Sequence, residues 1–264
     1  METFPLPQQL TSEKVSASRA RITIEPCYPG YGTTLGNALR RVLLSSLPGA
    51  AVTAVKITGV DHEFSTIKGV MEDVVDLLLN IKQLRLKVHT QEPVKFYLRV
   101  TGEREVTGAD IEATSDVEIT NTELHLATLT DKKATLEIEF SAQQGRGYVP
   151  VESREGQKLE IGTIGVDSLY SPVRRVGYTV DNVRVGQMTN YDKLVLDVET
   201  DGSLSPLEAV RQSSQLLIDH FQVVVGQAPQ VSVSVEDKTE PASVTEPKAG
   251  KKRGRPKKDA IDNT

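Results

Sequence analysis

Residues 33–49, TTLGNALRRVLLSSLPG, constrain the chain more than any other stretch. Leu35, Ala38, Leu39, Val42, Leu43 and Ser46 recur at i, i+3, i+4, i+7, i+8 and i+11, the stripe of an amphipathic helix. Thr33 or Thr34 is placed to cap its start, and Pro48-Gly49 to stop it. The opposite face carries Gly36, Asn37, Arg40, Arg41 and Leu44. A glycine early in a helix costs roughly 1 kcal/mol against alanine, so Gly36 implies a close approach of backbones. Two adjacent arginines beside a leucine form a second docking face, because the planar fork of donors suits arginine to interfaces. A helix covered on more than one side points to assembly.

The rest of the chain reads as α+β with strands outnumbering helices. Residues 21–25, 52–57, 94–100, 135–140 and 193–199 alternate apolar and polar side chains, the period of half-buried strands. A second helix is expected over 69–82, with Glu72 and Asp73 near its positive end. A third opens at Ser205-Pro-Leu-Glu208, a capping box with proline at the first helical position. It is expected to bury Leu207, Val210, Ser214, Leu217 and Phe221. No internal repeat is present.

Charge is distributed unevenly. Residues 231–264 hold eight Lys/Arg against six Asp/Glu, and the remaining residues hold 23 against 30. An acidic body is a poor general binder of polyanions, so direct contact with nucleic acid is expected from the tail. Residues 236–264 contain almost no large apolar side chain and are expected to be disordered, because burial cannot offset an ordering entropy of roughly 1–2 kcal/mol per residue. Within them Lys251, Lys252, Arg253, Gly254, Arg255, Pro256, Lys257 and Lys258 resemble an AT-hook. An extended segment of this kind lays arginines into the narrow minor groove of A·T-rich DNA while lysines neutralise phosphates. The competing reading is a solubilising or localisation-type basic cluster.

Catalytic constellations are not found. His62, His89, His125 and His220 lie far apart and share no metal-ligand spacing with Cys27. No phosphate-binding or dinucleotide-binding glycine motif is present. Residues 144–150, QGRGYVP, lack the lysine and helix of a phosphate loop and read as a tight turn or loop beside a partner. Asp61-His62-Glu63 reads as a polar cluster in a loop. No metal and no cofactor are expected. The single cysteine fits a reducing compartment. No apolar run approaches the roughly 18 residues of a membrane span, and the start lacks a signal peptide. The expectation is a soluble, intracellular protein without a membrane partner.

TLGNALRRVLLSSLPG (34–49), AVTAVKITGVDHEFSTIKGVMEDVVDLLLNIKQL (51–84), GRGYVP (145–150) and VDSLYSPVRRVGYTVDNVRVGQMTNYDKLVLDVETDGSLSPLEA (166–209) occur in that order. Together they resemble the N-terminal domain of the bacterial RNA polymerase alpha subunit over nearly all of residues 10–226. The resemblance implies a two-lobed α+β domain. One discontinuous lobe, 1–48 with 175–227, would dimerise, and a strand-rich lobe, 49–174, would be inserted into it, with 228–264 as tail. The dimer would scaffold the beta and beta prime subunits of a DNA-directed RNA polymerase, a nucleotidyltransferase of the cytoplasm that associates with the nucleoid while transcribing. Alpha itself would carry no catalytic residue.

On this resemblance Leu35, Leu39, Val42, Leu43, Leu207, Val210, Leu217 and Phe221 would supply the dimer core. Arg40, Arg41, Leu44, Asp76, Lys82 and Arg174 would meet a large subunit. The family's compact helical C-terminal domain is not expected after residue 227, and the AT-hook-like segment would touch upstream A·T-rich DNA in its place. A free-standing dimeric DNA-binding protein leaves the Arg40/Arg41/Leu44 face unexplained, and a small-molecule enzyme lacks a nucleophile, base or metal cluster.

Overall fold

The computed structural model describes residues 6–7, 9–112, 114–154 and 160–226. The basic segment 251–258 and the tail 228–264 lie outside the described residues. In chain order the elements open with β1 (Gln9–Lys14), β2 (Arg19–Cys27), α1 (Tyr31–Ser45), β3 (Pro48–Ile57) and α2 (Val74–Lys82). They continue with β4 (Leu86–Val88), β5 (Val94–Thr101), β6 (Arg104–Thr107), β7 (Ile111–Glu112), β8 (Val117–Ile119), β9 (His125–Leu129) and β10 (Thr135–Arg146). The last are β11 (Tyr148–Val149), β12 (Thr163–Gly165), β13 (Ser168–Leu169), β14 (Val173–Val185), β15 (Met188–Thr200) and α3 (Pro206–Val225). The α+β class holds, and all the sheets are antiparallel.

Two hydrophobic cores result. A four-stranded sheet, β1-β2-β15-β14, draws its strands from both ends of the described chain. Along β15 the alternation puts Asp192, Leu194, Leu196, Val198 and Thr200 on one buried face. With Ile22 of β2 and Val176 of β14, this face meets Leu39 and Leu43 of α1 and Ala209 and Val210 of α3. The second core lies between a five-stranded sheet, β12-β3-β10-β5-β7, and α2 with Val74, Leu77 and Ile81. Phe96 and Phe140 are direct cross-strand neighbours there, stacked with ring centroids 4.9 Å apart, the offset geometry that aromatic pairs favour.

Helix α1 starts earlier than its own threonines would place it. Gly30 at φ 85° is the cap residue and provides no side chain. The acceptor comes from β15: one Asp192 oxygen takes the N–H groups of Gly30 at 2.9 Å and Gly32 at 3.0 Å. The Thr34 hydroxyl is turned back to the Gly30 carbonyl. Gly36 is buried on the sheet side rather than outward. A Cβ there would stand 2.7 Å from the Tyr178 ring and 2.9 Å from a Leu194 methyl, so Gly36 does permit a close approach, but against side chains of the sheet rather than another backbone.

Two other boundaries differ from expectation. Helix α2 begins at Val74, capped by the Asp73 carboxylate on the Asp76 N–H at 2.7 Å. Residues 69–73 do not coil because Gly69 sits at φ 80° and Val70 and Met71 bond to strand β9 and its edge. Glu72 accepts instead from the Thr128 N–H (2.7 Å), the Thr128 hydroxyl (3.0 Å) and His125 Nε2 (3.0 Å). Its carboxyl is raised by burial, but these bonds outweigh that and hold it below its ordinary range. His125 also meets Glu105 through Nδ1 at 2.9 Å, and is raised chiefly by its bond to Glu72. In α3, Ser205 caps the Glu208 N–H and Pro206 opens the helix as expected. The buried residues are Pro206, Ala209, Val210 and Ser213. Phe221 is 62% exposed, on the last turns of α3, where no residue beyond Ser213 is buried.

Among the described residues no helix is long and apolar enough to cross a membrane.

Asp192→Ala leaves two helix N–H donors unpaired, and urea unfolding is expected to show a loss of about 1–3 kcal/mol. His125 is raised and Glu72 lowered, so their mutual stabilisation is full between the two ordinary pKa values. It fades as pH rises through the folded pKa of His125. The stability difference between wild type and His125→Gln is therefore expected to shrink as urea titrations move from about pH 6.5 to 8.

Candidate protein-docking surface

Helix α1 is covered on its inner side only. Gly32, Gly36, Leu39 and Leu43 are buried, whereas Asn37, Arg40, Arg41, Leu44 and Ser45 are exposed. Among the described residues neither Arg40 nor Arg41 has a carboxylate within ion-pair distance. The Ser45 hydroxyl donates to the Arg41 carbonyl at 2.8 Å, the i−4 back-bond that serine makes within a helix.

The ribbon β11–β13 runs beside this helix end. Gly147, at φ 66°, lies against the Ser45 carbonyl, and the Ser171 hydroxyl reaches the Leu44 carbonyl at 3.4 Å. The glycine-rich 144–150 stretch is thus not a loop. Strand β10 runs to Arg146, Gly147 turns the chain, and Tyr148 pairs with Leu169. The ribbon in turn meets α2. Lys82 Nζ lies 2.8 Å from Asp167 and 5.8 Å from the centre of the Tyr148 ring, over its face. The Val151 N–H donates to the other Asp167 oxygen at 3.0 Å. The Lys82 bond and that N–H hold the Asp167 carboxyl below its ordinary range. Asp167 in turn accepts from the Tyr148 hydroxyl and pushes its pKa up.

Beyond Lys82, α2 exposes Val75, Asp76 and Leu79, with Met71 and Phe64 exposed on the preceding segment. The fold therefore links the Arg40/Arg41/Leu44 face, the β11–β13 ribbon and Lys82 by a chain of direct contacts, and Asp76 lies on the same helix as Lys82. Arg174 is exposed on β14, near enough to the half-buried Arg85 to disfavour its charge, after burial itself. Among the described residues no hydrogen bond or ion pair ties it to α1 or α2. Sequence reasoning missed Asp167, Tyr148 and Ser171. Their partners lie 85, 66 and 127 positions away, and no local pattern marks them.

The residues assigned to a dimer core separate into three groups. Leu39, Leu43 and Val210 are buried in the chain's own core, and Leu43 at 0% exposure has no surface left for a second chain. Leu35, Leu207 and Leu217 pack half-buried against that core, and Val42 is half-buried on α1. Phe221 is open, and with Ile218 and Val225 it forms a stripe at helical spacing on the last turns of α3, flanked by Val223 and Val224. Contiguous exposed apolar surface of this kind marks an interaction site.

Among the described residues no cluster of His, Cys, Asp and Glu is arranged to hold a metal ion. His62, His89 and His220 are exposed and apart. The arrangement is one of contact surfaces.

Comparison with known proteins gives the family. Residues 55–171 match the RNA polymerase Rpb3/RpoA insert domain. The chain is 52% identical over 221 residues to the DNA-directed RNA polymerase subunit alpha of Desulfovibrio desulfuricans. That match takes in 83% of this chain, which spans 63% of that relative's length. With a matched insert domain and half of its aligned positions identical to an alpha subunit, the chain belongs to the alpha-subunit family of DNA-directed RNA polymerase.

Proposed function

We propose that this chain is a non-catalytic assembly subunit of a cytoplasmic DNA-directed RNA polymerase. Two copies pair and present docking faces to the beta and beta prime subunits. The observation that carries the reading is helix α1, covered on its inner side by its own sheet and open on the other at Arg40, Arg41 and Leu44. The two hydrophobic cores support a division into a dimerising lobe, 1–48 with 175–227, and an inserted lobe, 49–174. The exposed stripe Ile218, Phe221 and Val225 on α3 supports self-association in water, because a second copy would bury it. Leu35, Val42 and Leu217 would form the margin of that contact, while Leu39, Leu43 and Val210 support it from within.

In this reading Arg41 and Leu44 receive one large subunit, with Arg40, Asp76, Lys82 and Arg174 around them. Catalysis lies in the large subunits. The basic residues 251–258 would add a weak contact to A·T-rich upstream DNA, with charge placement as the support: an acidic body and a basic end. Two tails per dimer would raise their effective local concentration.

Arg41→Ala is expected to leave folding and dimer mass unchanged and to weaken capture of the beta subunit by at least roughly thirtyfold, the equivalent of about 2 kcal/mol at an interfacial hot spot. Surface-plasmon titration of purified beta over the immobilised full chain reads this directly, and undiminished binding would remove Arg41 from the interface. Phe221→Asp should instead convert the dimer to monomer in sedimentation while both cores stay folded. Leu39→Asp is expected to unfold the lobe itself, because Leu39 is buried within one chain.

A further inference from the structure

The exposed faces of α1 and α2 rest on different cores, and the segment from Asp167 to Val173 runs between them. Resting on the assembly reading above, we infer that Tyr170 and Asp167 are positioning residues that lock the two faces into one rigid docking surface. Tyr170 is 2% exposed. Its ring covers Gly145 of β10 so closely that a Cβ there would stand 2.7–2.8 Å from three ring carbons. The hydroxyl accepts from Gln143 Nε2 at 2.9 Å, and the Tyr170 N–H donates to the Gly147 carbonyl at 2.8 Å. The Tyr170 carbonyl oxygen lies 1.8 Å from where a Cβ on Gly49 of β3 would be. Ring, hydroxyl, amide and carbonyl are thus each held by a strand or turn leading out of the core of the five-stranded sheet.

The next residues belong to the core of the four-stranded sheet. The Ser171 hydroxyl reaches the Leu44 carbonyl of α1, the Pro172 carbonyl takes the Asp201 N–H at 2.9 Å, and Val173 is buried with Leu39 and Leu43. Asp167 fastens the other end by holding Lys82 of α2 and the Val151 N–H on separate oxygens. The Lys82–Asp167 pair is about one-third exposed, so its contribution to stability is small. Its effect is geometric. Two faces held at fixed spacing engage one large partner without the ordering cost that mobile faces would carry.

The test uses the full chain with Cys27→Ala and spin labels at Asn37→Cys on α1 and Gln83→Cys after α2. Labelled chain is diluted with unlabelled chain so that only intrachain distances register. Wild type should give a narrow distance distribution. Tyr170→Ala should broaden it, weaken capture of purified beta by at least about tenfold, and leave the dimer mass unchanged. Tyr170→Phe, which keeps the ring, should stay near wild type in both. A distribution that stays narrow in Tyr170→Ala, or capture that is undiminished despite broadening, overturns the lock. Should Tyr170→Ala not fold, Asp167→Asn takes its place: broadening with weakened capture supports the lock, and the absence of either overturns it. Failure of the wild type itself to capture beta would count against the assembly reading, while the distance distribution would still decide the lock.

Discussion

Helix α1 packs its own backbone directly against side chains of its sheet. Gly32 and Gly36 allow this, since a Cβ at either would run into Val180, Asp192, Tyr178 or Leu194 at 2.7–3.0 Å. The low seating brings the first helix N–H groups onto the Asp192 carboxylate and buries Leu39 and Leu43 within one chain. It also leaves the opposite side of the helix with nothing of its own to cover it. A bulkier residue at Gly36 would lift the helix, loosen Leu43 and strip the cap in one step. The exposed face of α1 proposed for docking and the core are therefore two sides of one packing solution.

Stability and geometry are supplied by different groups. The two cores contribute the stability, at about 25 cal/mol for each Å² of apolar surface removed from water. The fully buried Phe96, Phe140, Leu43, Leu77 and Leu98 are prominent among the side chains that do so. The polar ties around the docking surface contribute little by comparison, because Lys82–Asp167 and Ser171–Leu44 are only partly shielded. What they determine is which exposed side chains share a surface. A partner that buries those ties on docking would strengthen them, since the same charges interact more strongly away from water.

The strands were legible because their signal is local. Residues 94–100 and 135–140 alternate, and the strands found there, Val94–Thr101 and Thr135–Arg146, agree within a few positions except where β10 runs on. Features that depend on a distant partner were not legible. The cap of α1 comes from Asp192, 160 positions from Gly32. The late start of α2 follows from a glycine at positive φ and a Glu72 bonded to Thr128. Phe221 illustrates a second limit. An amphipathic stripe looks the same in sequence whether its own chain or another chain covers it, so Phe221 reads as one stripe with Leu207, Val210 and Leu217, although in the single chain it lies exposed. The docking residues show a third. Exposed Arg41 and Asp76 cannot be told from solvated charges by pattern alone. The two-faced pattern of α1 suggested Arg41, similarity to a known family pointed to Asp76, and the fold then tied Asp167, Tyr148 and Tyr170 to the same region, which sequence reasoning had missed.

The central claim is that this chain exists to be built upon. Its most direct test is the native mass of the complex that co-purifies with a tagged full-length chain from its own cells. Two copies of the chain with one each of two much larger polypeptides are expected, with RNA synthesis in the purified complex. Recovery of the chain only as a bare monomer or dimer, with template-directed RNA synthesis remaining wholly in the unbound fraction, would contradict it.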